Sequence, residues 1–207
     1  MKHAIVSNLD EADYLAGETR SDIRHEYVDG HVYAMAGASK AHNIIAGNIF
    51  SRLRQHLRGS PCRAFVADMK VKIEASRAYY YPDVVVTCSE EDTTDTAPRD
   101  VLTAPSLIVE VLSESTENTD RREKMRAYGL LDSLEEYLLV DSRKALAELF
   151  RKRAEGGWEH WVMTPGDTLN LASVRLDIAV VDLYEDAGLR DSGGSPDLAL
   201  DCGEDAA

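Results

Sequence analysis

Residues 107–112, LIVEVL, are apolar on both faces of an extended chain except at Glu110. Side chains alternate across a strand, so an unbroken apolar run reads as a strand covered on both sides. A second such run lies upstream in YYYPDVVVTC, residues 79–88. Pro82 has no N–H to give to a ladder and marks a strand start or a bulge there. Residues 63–74 alternate, with Lys70, Lys72 and Glu74 on one face and Val71 and Ile73 on the other. Downstream, residues 136–141 (EYLLVD), 145–151 and 158–163 read as strands, and one or two more lie within 169–183. The polar stretch 89–105 reads as a loop.

Elsewhere the period changes. Ile45, Ile49, Leu53 and Leu57 fall four apart, which is one apolar stripe on a helix between Ser39, a plausible N-cap, and Gly59, a plausible stop. Arg52, Arg54, His56 and Arg58 load its last turns, as the helix dipole favours. Residues 9–20 read as a short helix, and residues 114–130 as a longer one that follows the Glu110 strand directly. In HEYVDGHVYAMA, residues 25–36, alternating runs flank Asp29-Gly30, a strong hairpin signal. The order helix, hairpin, helix, strands, helix, strands predicts an α/β domain built on a mixed sheet, over residues 1–185.

Composition narrows the function. The chain has 37 acidic against 23 basic residues, a net charge of −14, which argues against coating nucleic acid through bulk charge but leaves room for a local basic groove. From Glu185 to Ala207 seven acids face one base, Arg190, so residues 186–207 are expected to form an acidic, disordered tail. No apolar run is long enough to span a membrane. Asp10 and Glu11 interrupt the N-terminal segment before any secretory-type apolar stretch forms. The three cysteines, at 62, 88 and 202, are far apart and odd in number, so neither a zinc knuckle nor a disulfide framework is expected, and a reducing cytoplasm is the default.

Asp83 and Glu110 stand out physically. A carboxylate inside an apolar strand is costly unless it is paired, hydrogen-bonded or bound to a metal. One such acid is most simply a salt bridge or a strand end reaching water. Two, on strands that can lie side by side, would converge on one spot, and a hard cation such as Mg²⁺ accepts that pair of oxygens plus water. Lys124, on the helix after the Glu110 strand, would fold back onto the acids or lie on a solvated face. Asp120, four residues earlier, would pair with it.

PDVVV, then PSLIVEVLSEST, then Asp120, Lys124 and Tyr128 on one helix, then EEYLLVD, form an ordered set that resembles the Uma-two family of restriction-endonuclease-like proteins, within the PD-(D/E)XK nuclease superfamily. HEYVDG and the AHN that opens the amphipathic helix fit the same pattern, and the resemblance spans roughly residues 10 to 185. It implies a restriction-endonuclease-like core, a central mixed sheet flanked by helices. It implies that Asp83, Glu110 and the backbone carbonyl of Val111 hold Mg²⁺ or Mn²⁺, and that the metal activates water for attack on a DNA phosphodiester. One departure is clear. The superfamily's usual Lys lies two residues after the Glu, and here that position is Leu112. Lys124 is the first replacement, Lys70 or Lys72 the second. Glu26, before the turn, would add a third carboxylate, and His42 would face the cleft. Tyr128 reads as a core or groove-wall residue.

Three readings follow. The first is a metal-dependent endonuclease acting on DNA. The second is a catalytically degenerate nucleic-acid-binding or interaction module, motivated by Leu112 and the net charge. Its basic face would draw on Arg52, Arg54, Arg58, Arg121 and Arg122. The third is an interaction protein whose acids are merely paired. Nucleases of the superfamily often work as homodimers, but no coiled-coil or other dimer signal is present.

Overall fold

The computed structural model describes residues 4–35 and 37–189. Most of the acidic segment, from Arg190 on, lies outside the described residues. The helices are α1 (Glu11–Glu18), α2 (Lys40–His56), α3 (Glu90–Thr93), α4 (Met125–Tyr128) and α5 (Val180–Leu183). The strands are β1 (His25–Val28), β2 (His31–Ala34), β3 (Arg63–Val66), β4 (Lys70–Ile73), β5 (Ala78–Tyr80), β6 (Val84–Thr87), β7 (Val101–Leu102), β8 (Pro105–Leu112), β9 (Glu136–Asp141), β10 (Ala147–Lys152), β11 (Trp158–Met163), β12 (Thr168–Leu171) and β13 (Leu176–Ala179).

β8 is the axis of the molecule, and all eight of its residues are buried. It pairs parallel with β9 and antiparallel with β6 inside a mixed sheet ordered β11-β10-β9-β8-β6-β3. Its alternation feeds two cores. Val109 and Val111 pack with Ile45, Ile49 and Leu53, the α2 stripe. Ile108 and Leu112 pack with Tyr128, Tyr137 and Leu139 on the other face. Burying each α2 aliphatic contributes about 1.5–3 kcal/mol, which outweighs that helix's modest intrinsic propensity. The Ser39 hydroxyl accepts from the His42 N–H at 3.2 Å, so the α2 N-cap also orients the turn that carries His42.

A second sheet, ordered β2-β1-β5-β4-β7, carries the hairpin. Asp29 and Gly30 both have positive φ, 43° and 87°, the left-handed pair that a two-residue primed turn requires. Behind it, Tyr14, Tyr27 and Tyr79 pack into a small aromatic core, Tyr14 stacked on Tyr27 and Tyr79 edge-on to Tyr27.

Four expectations change. The alternating run 63–74 is two strands in two sheets, broken where Ala67 and Asp68 take φ of 48° and 47°. The run around Pro82 is likewise split, β5 in one sheet and β6 in the other. The loop 89–105 contains α3 and β7. The helix expected over 114–130 is present but shorter, over 117–128, and its middle, Thr119–Lys124, is π-helical before the single turn α4. The cysteine reading is also corrected: Cys62 and Cys88 form a disulfide. β3 pairs with β6 from Arg63 opposite Thr87, so the next residue outward on each strand is a cysteine, and the two face each other.

Candidate active site

The strand ends of β6 and β8, the first turn of α2, strand β1 and the π-helical turn converge on a cavity of about 430 Å³. Glu26, His42, Asp83, Glu110, Val111, Asp120 and Lys124 all line it. The five candidate side chains named from the sequence are thereby brought together, although they are scattered over almost a hundred residues of chain.

Lys124 sits at the centre of the buried half. Its Nζ lies 3.0 Å from Glu26 Oε1, 3.0 Å from Glu110 Oε1 and 3.1 Å from Asp120 Oδ1. All four groups are buried. The π-helical turn keeps Asp120 and Lys124 within pairing distance while directing both inward, a use such turns often have at functional sites. The Tyr128 hydroxyl donates to Glu110 Oε1 at 2.9 Å, so this tyrosine does more than form a wall: it fixes the carboxyl. The spacing 120, 124, 128 was the available signal for the trio. Lys70 and Lys72 are committed elsewhere, Lys70 to Asp100 and Lys72 to Glu11 and Glu74. Leu112 lies in the core with its apolar neighbours.

Asp83 forms the more open half. Its Oδ2 accepts the Val111 N–H at 2.7 Å, where β8 runs on past the start of β6. His42 Nε2 lies 3.2 Å from the same oxygen. Burial disfavours the imidazolium, but the Asp83 carboxylate and the Val111 backbone outweigh it and raise the His42 pKa. Burial pushes the Glu110 carboxyl well above the usual carboxylate range. Lys124 opposes that shift and Asp120 and Asp83 reinforce it. For Lys124, burial works against the charge, yet Asp120, Glu110 and Glu26 hold its pKa well above the ordinary value.

Four carboxyl groups against one ammonium and one imidazole leave the cavity with an excess of oxygen donors. Among the described residues, no three His, Cys, Asp or Glu side chains are grouped as a metal centre would need. Asp83, Glu110 and the Val111 backbone, which line the cavity together, offer a cation oxygen donors alone, to be completed by water. That sparse, all-oxygen shell suits Mg²⁺ or Mn²⁺, which retain several waters, and would not suit a softer ion.

The model of the Uma2 family, described as "Putative restriction endonuclease", matches residues 11–181. The chain belongs to the Uma2 family. Two uncharacterized proteins of Synechocystis sp. are similar to this Uma2 chain. One, slr1290, is 39% identical over 176 residues, covering 85% of this chain and 91% of the relative. The other, sll1609, is 35% identical over 150 residues, covering 72% and 84%. A crystal structure from Anabaena variabilis, described as a putative nuclease belonging to DUF820, superposes with a TM-score of 0.69 at 17% identity, over 84% of this chain and 96% of that one. At that identity the likeness is one of fold.

The basic face expected from five arginines is not assembled as expected. Arg52 pairs with Asp182 and Glu185, and Arg121 with Glu117 and Glu148. No helix among the described residues is long and apolar enough to cross a membrane.

Proposed function

We propose that the chain is a metal-dependent endonuclease that hydrolyses phosphodiester bonds in DNA. The observation that carries this reading is the Lys124 ammonium, 3.0 Å from Glu110 in the cavity that Asp83 also lines. It supplies, from the following helical turn, the cation missing at Leu112. The family's own description supports a nuclease in general terms.

Asp83, Glu110 and the Val111 carbonyl would hold the metal. When bound, such an ion polarises the phosphodiester and lowers the pKa of water, the chemistry that hydrolysis near neutral pH requires. Lys124 keeps its proton, and its charge would stabilise the oxygens of the phosphate under attack. Tyr128 and Lys124 together fix the Glu110 carboxyl, so its orientation is set before substrate arrives. His42 would hold Asp83 from the opposite side.

A second reading has its own observation. Three carboxylates already surround Lys124, which would leave it a structural ion and the chain a binding module without turnover. Calorimetric titration of Mg²⁺ and Mn²⁺ into wild type, Asp83→Ala and Glu110→Ala, with plasmid cleavage on the same samples, separates the two. The endonuclease requires metal-dependent cleavage that falls at least about 100-fold in both variants, the scale of losing one electrostatic stabiliser. Metal binding without any cleavage would select the second reading. Undiminished cleavage by Asp83→Ala would remove Asp83 from the mechanism.

A further inference from the structure

We infer that the site extends into a groove between α2 and β3 in which Arg54, Arg58 and Arg63 clamp the phosphate backbone of a DNA duplex. The inference rests on the function proposed above. The α2 residues His42, Ala46 and Phe50 line the candidate active-site cavity; Arg54, on the next turn, and Arg58, just past the helix, line a second cavity of about 550 Å³. β3 runs back along the helix in step: Val66 borders the first cavity, Phe65 and Arg63 the second. The two cavities thus follow one another along α2 and β3.

Charge identifies the occupant. In a chain with 37 acids and 23 bases, the second cavity is lined by three arginines and no acid. Among the described residues, Arg54 and Arg58 make no ion pair, whereas Arg52, Arg121, Arg143 and Arg151 do. The helix dipole favours cations near the end of α2, but Arg63 stands on the neighbouring strand. Its Nη1 is tethered to the Ser60 and Cys62 carbonyls at 2.8 and 3.0 Å. Arginine offers a planar fork that matches phosphate, and phosphate contacts fix position rather than sequence. From His42 to Arg54 the helix rises about 18 Å. That spans about five phosphates of one strand of B-DNA. The groove would hold a strand at that distance from the cut and set its register, with the metal-binding carboxylates at the other end.

The test is the salt dependence of binding. A fluorescein-labelled duplex of about 20 base pairs, longer than the groove, is titrated by anisotropy without divalent metal, so that no cleavage is needed. Removing two phosphate contacts in Arg54→Ala/Arg58→Ala should reduce the magnitude of the log Kd against log [salt] slope by about 2. It should also weaken binding at least about tenfold at low salt. The melting temperature should stay put, because both side chains are exposed. Arg99→Ala, an exposed arginine outside the groove, should leave slope and affinity unchanged. An unchanged slope in the double variant, no duplex binding by wild type, or equal binding of duplex RNA would each overturn the proposal. A wild type that binds with this slope but never cleaves would keep the groove and reject the endonuclease. Cleavage with an unchanged slope would do the reverse.

Discussion

Lys124 and Glu110 are each expensive alone and tolerable together. A buried ammonium facing three carboxylates gains attraction in a medium of low dielectric, but removing it leaves those acids uncompensated. Lys124→Met should therefore lose about 3–5 kcal/mol of stability, read from chemical denaturation. Glu110→Gln should act in the opposite direction. The folded pKa of Glu110 is raised, so its folded form holds a proton more tightly than the unfolded chain does. Stability from this group is fully present below the unfolded value of about 4.3 and is lost as pH rises through the folded value. Without divalent metal, Glu110→Gln should thus melt higher than wild type at pH 7, with the gap closing toward pH 4. A lower melting point at pH 7 would mean that Lys124 needs the third carboxylate more than burial penalises it. Such a gain in stability with loss of metal binding is the trade-off expected where a site is kept strained for function.

Several elements around the site are short, and links between them do much of the positioning. β3 is an edge strand of four residues held to β6 by its ladder and by the Cys62–Cys88 bridge. The bridge closes a loop of 26 residues and ties the turn after α2 to the far end of the strand that begins beside Asp83. Chain-entropy arguments give such a closure about 3.5 kcal/mol. The oxidised protein in denaturant should yield one titratable thiol, not three. Cys62→Ser/Cys88→Ser should unfold at correspondingly lower denaturant, with the m-value rising slightly as the unfolded chain expands. Three thiols in freshly purified, unreduced protein would show that the pair stands reduced.

Across the whole molecule, the turn bearing Asp120 and Lys124 is bolted to the sheet by ion pairs. Glu117 and Arg143 lie 2.7 Å apart, Arg143 also holds Asp141 at the end of β9, and Arg121 reaches Glu148 on β10. Hydrogen bonds from Arg143 and Arg121 lower the Glu117 pKa. Burial raises Asp141 and Glu148, but their arginines outweigh it and both end below the usual range. For a depressed carboxylate, the stabilisation is present above the unfolded pKa of about 4 and is lost as pH falls through the folded value. Arg143→Ala should lower the melting temperature at pH 7 and converge with wild type below about pH 3. A constant offset at both pH values would mean that Arg143 acts through packing alone. The groups involved are partly exposed, so the effect should also shrink with added salt.

Local pattern sufficed for the hairpin at Asp29-Gly30, the α2 stripe and the doubly buried β8, because each is set by a few neighbouring residues and one period. It also singled out Glu110, a charge inside an apolar strand, and Asp83, although Asp83 stands just before β6 and is only partly buried. Tertiary structure decided the rest. A period of two is the same for one strand as for two strands bent into different sheets, so the break at Ala67-Asp68 left no trace in the alternation of residues 63–74. Cys62 and Cys88 carry no pairing signal in their spacing, and only the β3–β6 register sets them face to face. Whether Lys124 points outward or inward turns on a π-helical turn that regular helical spacing does not announce. Its three carboxylate partners come from β1, β8 and its own turn, and only the packing of both sheets gathers them around one nitrogen.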